Sequence, residues 1–432
     1  MEKMKELQEI LRKETKPALG CTGPIGICFV SAQAYDAIGG EIKKITLEGF
    51  GPKCDDVAFP GTEYLGAEMA AALGAVCGDP NAGLEVLKNV TPEGELKARK
   101  VAELVVMTEV GTESANLPRK VIVETDKGTG VAVIQGAQDG LIYKSRNGEV
   151  LLDKEPDTFN QAGHTPIMKY KIKDLYEMAT TCPLEDLDIM QEAADMNTKM
   201  ADYVLTHEEV GIGIGRGLMD VENPSPVTRA KALAAAACEG RMSGVPLPIM
   251  SVGGKGNVGI ASTMPIVSLA KDMGASNEQL KRALAMSCLT AIAVIHRIGK
   301  APTMCSCEVA AAMGVTVGTV VLKGGTLTQA EAAVQNMIPN VFGVVCDGAK
   351  LACAMRMASG TAVAIDAAEM ALKGIRLANN QGVLAENADA SIDFLGNFAL
   401  NSMLDSDLKL NMQMMEKRRI FPLMSFTERQ KQ

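Results

Sequence analysis

The sequence predicts an α+β fold, with a compact α+β module near the N-terminus and a larger, mainly α-helical domain after it. Two observations carry this reading. Segments of β-type alternation and hairpin turns fall between residues 42 and 152, and beyond about residue 173 long Ala-, Met- and Leu-rich stretches replace them. A third bounds it: 432 residues, 47% hydrophobic and 22% charged, have the composition of a globular chain long enough for more than one core.

The opening segment, MEKMKELQEILRKETKP, reads as a charged amphipathic helix to about Glu14, with Leu7, Ile10 and Leu11 on one face, and it lacks the apolar centre of a signal peptide. Gly20-Cys21-Thr22-Gly23-Pro24 is turn chemistry. The apolar run Ile25 to Ala34 then reads as a second helix, with Pro24 in its first turn and Thr22 or Gly23 as the cap. Ile42 to Phe50 alternates as a strand, and Tyr64 to Val76 is Ala-rich helix. Strands follow at Lys120 to Glu124, Gly130 to Ile134, Leu141 to Lys144 and Glu149 to Leu152, with Asp139-Gly140 and Asn147-Gly148 as hairpin signals. Helical stretches at Pro226 to Cys238, Asn277 to His296, Leu327 to Met337 and Gly360 to Leu377 make up the second part, where small residues permit close helix approach and Met fills gaps. The division expected is 1–34 as N-terminal helices with an active-site loop packing on the helical domain, 35–172 as the α+β domain, and 173–432 as the helical domain.

Composition removes several function classes. With no Trp, 6 Tyr, 9 Phe and a net charge of −9, the chain has neither the stacking platforms nor the positive charge for nucleic acid. No stretch approaches the ~18 apolar residues of a membrane span. Eleven cysteines scattered over this length are not a disulfide framework, so a chain of thiols in a reducing cytoplasm is expected. The three histidines, His164, His207 and His296, are dispersed and read as structural.

The glycine-rich segments fail the known nucleotide fingerprints. Counting from Gly211 the sixth place is Arg216, and Lys255 is followed by Gly256 where a phosphate loop needs Ser or Thr. Gly253 to Gly259 still reads either as a plain turn or as a loop lining a site, where backbone N–H groups and Asn257 hold a carboxylate or phosphate. Cysteine is more informative. Seven helical residues would part Cys346 from Cys353 by about 10 Å, but Asp347-Gly348 offers a reversal. Two thiolates turned back there, joined by a third from the Cys305/Cys307 loop, suit an iron–sulfur cluster better than a closed zinc site. Cys21, just ahead of a predicted helix, stands where anions are stabilised; it reads either as a buried turn residue or as a base beside a carboxylate held by N–H groups of Thr22 and Gly23.

Taken together, Gly20-Cys21-Thr22-Gly23-Pro24, the loop with Asn257 and Met264-Pro265, Cys305-x-x-Glu308-Val309, and the Cys346…Cys353 pair resemble the L-cysteine desulfidase family, which is related to the alpha chain of iron–sulfur L-serine dehydratases. The resemblance covers most of the chain. It implies Cys21 as the proton acceptor and Cys305, Cys346 and Cys353 as the ligands of a [4Fe-4S] cluster, with Cys307 the nearest alternative to Cys305. It implies a small amino-acid substrate and β-elimination of L-cysteine to pyruvate, ammonia and hydrogen sulfide, in the cytoplasm. Serine dehydratases of this type carry Ser-His-Thr in the early loop where this chain has Gly-Cys-Thr, which favours the desulfidase branch over L-serine dehydratase. Some of them end in a Cys that occupies the fourth iron; here Cys353 is the last Cys, so an iron open to substrate is expected. An Ala/Met-rich helical surface suits a homodimer. The rival readings are a pyridoxal-phosphate lyase with Gly253 to Gly259 as phosphate cup, and a non-catalytic iron–sulfur or thiol sensor.

Overall fold

A computed structural model describes residues 2–54, 56–59, 64–111, 117–156, 165–299 and 303–418. The fold is α+β, as the sequence predicts. The chain opens with α1 (Glu2–Glu14), whose Leu7, Ile10 and Leu11 are buried, and β1 (Thr15–Ala18). The N-terminal module follows: α2 (Thr22–Ile38), β2 (Ile42–Phe50), α3 (Ala67–Cys77), α4 (Pro92–Ala102), β3 (Val105–Val110), β4 (Arg119–Thr125), β5 (Gly128–Ile134), β6 (Leu141–Arg146) and β7 (Glu149–Asp153). Its six strands lie in the order β3-β2-β4-β5-β6-β7. Only β2 and β3 are parallel, because α3 and α4 form the crossover that parallel neighbours need. The β6–β7 hairpin turns at Asn147-Gly148, both at positive φ, which is the two-residue turn that those residues favour.

The helical part contains α5 (Ile172–Thr181), α6 (Asp188–Thr206), α7 (Ile214–Met219), α8 (Pro226–Met242), a short β8 (Ile249–Val252), α9 (Gly256–Met273), α10 (Asn277–Ile298), α11 (Ala310–Leu322), α12 (Leu327–Val341), α13 (Ala352–Leu372), α14 (Ala388–Asn397) and α15 (Leu404–Arg418). A helix apolar on every face belongs in the centre. Accordingly α10 is buried without a break from Ala283 to Ile298, and it packs most closely on α11, where a Cβ at Gly314 would collide with the Ser287 carbonyl. α10 starts with a capping box between Ser276 and Gln279.

There are two apolar cores. One lies among the helices and takes in Leu7, Leu11 and Cys21; the other lies between the sheet and the helices on it and begins with Ile25. Three sequence expectations are corrected here. The second N-terminal helix packs on the sheet module: α2 lies against α3, β4 and β5, because Gly74 of α3 and Gly130 of β5 have no Cβ to hold them off the Cys28 and Ala34 backbone of α2. Its cap is Cys21, not Thr22 or Gly23, so Pro24 falls third in the helix, where its missing N–H is still no loss. The stretch expected as helix from Gly360 to Leu377 begins earlier, at Ala352, and stops at Leu372, ahead of a reversal at Gly374 (φ +81°). His164 lies outside the described residues.

Candidate active site

Between α10 and α11 the chain passes Thr303 to Val309, and between α12 and α13 it passes Phe342 to Leu351. These two connections lie side by side. Cys305 N–H donates to the Val344 carbonyl at 2.8 Å, Cys346 N–H donates to the Thr303 carbonyl at 2.8 Å, and Met304 pairs with Val345 as an isolated antiparallel bridge. Residues flanking such a pair point to its opposite face, so Cys305 and Cys346 project from the same side. Beyond Cys346 the chain reverses at Gly348 (φ +97°), which lies flat on the Lys53 backbone, where any Cβ would collide; Ala349 N–H donates to the Lys53 carbonyl at 3.0 Å. The reversal returns Cys353, in the first turn of α13, toward Cys346, and its Sγ donates to the Gly348 carbonyl at 3.6 Å.

The electrostatics of these thiols are interdependent. A hydrogen bond from Cys307 brings Cys305 down to about 6 against its own burial, with the Arg356 guanidinium assisting. Donating that bond, together with burial, raises Cys307 well above the ordinary thiol value. Burial raises Cys346 and pushes Cys353 up to about 12, and a charge on Cys305 adds to both. Cys238, on α8, is raised by burial and feels Cys353 and Cys305. Cations surround the group. Arg356 bonds the Val345 carbonyl and Asp347, and Lys53 forms a buried ion pair with Asp407 of α15. Lys255, which precedes α9, is lowered by burial against the pull of Cys346, Cys307 and Cys305.

Among the described residues no three His, Cys, Asp or Glu side chains converge on a point that would hold a single metal ion. Ligands of an iron–sulfur cluster bind separate irons, and a set of thiols beside cations is chemically suited to such a group.

The Cys21 loop reaches the same region by another route. Strand β1 pairs antiparallel with β8, from Thr15 with Val252 to Ala18 with Ile249, and Gly253 N–H donates to the Glu14 carbonyl at 2.9 Å. This pair delivers Gly20 and Cys21 to the loop that starts α9. Cys21 is buried, and its carbonyl accepts the Ile25 N–H at 3.1 Å. The first turn of α2 has no earlier carbonyls to bond, so the Thr22 and Gly23 N–H groups have no partner within the helix. Arg241, near the end of α8, joins the two loops: Nη1 donates to Asn257 Oδ1 at 2.8 Å and Nη2 to the Gly20 carbonyl at 2.7 Å.

A sequence model of the family described as serine dehydratase alpha chain matches residues 81–410, which include all the thiols of the cluster region. The chain belongs to the serine dehydratase alpha chain family. The family is one of dehydratase-type lyases, and that is the class of activity its membership brings. Curated relatives match almost end to end. A UPF0597 protein of Clostridium botulinum is 33% identical over 413 residues, covering 93% of this chain and 96% of the relative. Another from Aeromonas hydrophila is 34% identical over 411 residues (93% and 94%), and one from Caldanaerobacter subterraneus is 32% identical over 407 residues (93% and 96%).

Sequence reasoning did not find Arg241, Lys255, Lys53 or Arg356, and it left Cys238 among the packing thiols. A signal for two of these was present: Cys238-Glu239-Gly240-Arg241 follows the small, apolar run Ala232 to Ala237 with two charges, and both are buried. The Glu239 carboxylate is taken up by the N–H groups of Ile212, Gly213, Ile214 and Gly215, which gives the first glycine segment an internal anion. The described histidines are occupied elsewhere: His207 stacks on Tyr203, and His296 is paired with Glu14 at 2.8 Å. Among the described residues no helix is long and apolar enough to cross a membrane.

Proposed function

We propose that this protein is an L-cysteine desulfidase, producing pyruvate, ammonia and hydrogen sulfide, with a [4Fe-4S] cluster held by Cys305, Cys346 and Cys353. The observation that supports the reading is the antiparallel bridge at Met304 and Val345 with the reversal at Gly348, which brings the segments carrying buried Cys305, half-buried Cys346 and buried Cys353 together in a chain of this family. When bound, a cluster with three protein ligands supplies a Lewis acid at its fourth iron for the substrate carboxylate or the leaving group.

The remaining work falls to the chain's own groups. The Thr22 and Gly23 N–H groups at the start of α2 suit the substrate carboxylate, and the Asn257 amide donates beside them. Cys21 accepts the α-proton on Sγ. The electron pair of that C–H bond becomes the Cα–Cβ double bond, and the C–S bond breaks with its pair leaving on sulfur as hydrosulfide. The aminoacrylate formed tautomerises to the imine, which takes up water to give pyruvate and ammonia. A reducing compartment, the cytoplasm, belongs to the proposal, since all ten cysteines whose side chains are described are free thiols.

A second reading, L-serine dehydratase, has the family description in its favour. The same groups act and hydroxide leaves. Cys21 in place of the His of a Ser-His-Thr loop supports cysteine as the substrate. The test is an anaerobic assay of cluster-reconstituted protein with cysteine and serine side by side, measuring sulfide, pyruvate, iron and acid-labile sulfide on one sample. Sulfide and pyruvate in equal amounts from cysteine are expected. Pyruvate from serine alone selects the second reading; pyridoxal with no iron, or a full cluster with no product from either, overturns both.

A further inference from the structure

We propose that Arg241 is the positioning residue of this site, holding Cys21 and Asn257 in register with one guanidinium. The inference rests on the roles given above to those two residues.

Arg241 is buried, and a buried cation is costly unless something specific holds it. No carboxylate among the described residues pairs with it: Glu239, two residues away on the same helix, is bonded to the Ile212–Gly215 backbone. Both of its bonds run to neutral oxygens, and each fixes something the chemistry needs. The Gly20 carbonyl belongs to the peptide that enters Cys21, so anchoring it sets the peptide plane from which the Cys21 side chain departs. Gly20 itself has φ +74°, a conformation a looser loop would leave. The second bond settles the orientation of Asn257. A guanidinium only donates, so it must face the amide oxygen, and the Nδ2 donors are turned away from it. The Nδ2 partner is Met242 Sδ at 3.4 Å, a weak acceptor that leaves the amide donors available to a substrate. Gly256 completes the arrangement, because a Cβ there would collide with the guanidinium. Lysine cannot substitute: a single ammonium on a flexible stem does not span two acceptors in a fixed fork.

The test compares wild type, Arg241→Lys, Asn257→Asp and Cys21→Ser as anaerobically reconstituted proteins, reading kcat, KM, iron content and site-resolved alkylation by iodoacetamide. In Arg241→Lys, kcat falls by about 10- to 100-fold, the effect of misplacing a reacting group by roughly an ångström, and KM rises as Asn257 loses its anchor. Iron content stays at the wild-type level. Cys21 alkylates several-fold faster while the interior thiols Cys28 and Cys288 stay protected. Asn257→Asp keeps an oxygen for Arg241 and loses the donor, so Cys21 labelling stays at the wild-type rate while KM rises. In the Cys21→Ser background Arg241→Lys costs nothing further in kcat. If Arg241→Lys does not fold, Gly256→Ala displaces the guanidinium and carries the same expectations. Wild-type kcat and labelling in Arg241→Lys overturn the proposal; so do equal losses in both backgrounds, or concurrent labelling of Cys28 and Cys288. If the wild type has no lyase activity, the functional reading fails, and Cys21 labelling alone still decides whether Arg241 holds the loop.

Discussion

Cys305 and Cys307 are interacting neighbours that differ in where their backbones stand. Cys305 is tied across the bridge to Val344, one residue from the pairing that also fixes Cys346, whereas Cys307 sits in the turn that leads into α11. Cys305→Ser is therefore expected to lose most of the iron on reconstitution, and Cys307→Ser to keep it, by iron and acid-labile sulfide analysis. The reverse result would transfer the ligand role to Cys307. At this scale the sequence singles out a residue by its neighbours and its spacing, as for Cys21, Cys346 and Cys353. The charged residues were not readable. Arg241, Lys53 and Arg356 resemble any surface cation until the fold sets them beside thiols or backbone oxygens, and the carbonyl or carboxylate partners that show this include Gly20, Asp407 and Val345, which are 221, 354 and 11 positions away.

Among the elements, α1 is held to the helical core by carboxylates as well as by its apolar face. Glu6 is lowered by hydrogen bonds from Lys169 and Tyr170. Asp174 at the start of α5 is desolvated, yet the Lys171 N–H and the Lys3 ammonium outweigh this and lower it too. A lowered carboxyl contributes stability that is present above its unfolded value and lost as pH falls through its folded value. Acidification below the ordinary values of 4.5 and 3.8 should thus release α1 first. Amide exchange in residues 2–14, corrected for the intrinsic pH dependence, should rise ahead of that in α10. Loss of protection in both together would show that these pairs do not hold α1. Elements with a clear period were legible, including α1, β2 and the β4–β7 meander, and α10 was legible from the length of its Ala-, Leu- and Ile-rich run. The β1–β8 pair was not, since four residues containing Lys16-Pro17 look like turn, and an all-apolar α11 has no period to detect.

Across the whole molecule, the sheet module meets the helical part at the thiol loops themselves. The Lys53 backbone lies under Gly348, its ammonium reaches Asp407 on α15, and Asn411 of α15 donates to the Gly111 carbonyl at 3.1 Å. Gly348→Ala is expected to force the two apart, lowering the thermal midpoint and the iron retained, while Gly374→Ala, at a similar positive φ with open space around it, should leave iron unchanged. Equal iron in both variants would show that the seam does not govern the cluster turn. The two-part layout could be anticipated from the shift in residue pattern, but the seam could not, because its contacts join residues some 300 apart and follow no local rule. One more consequence belongs to the short run in which the chain leaves one core and enters the other. Cys21 packs with the helices and Ile25 with the sheet, so only a single helical turn separates the sulfur from the neighbouring body. That sulfur therefore stands at the hinge point of the chain between the two cores, within one helical turn of both.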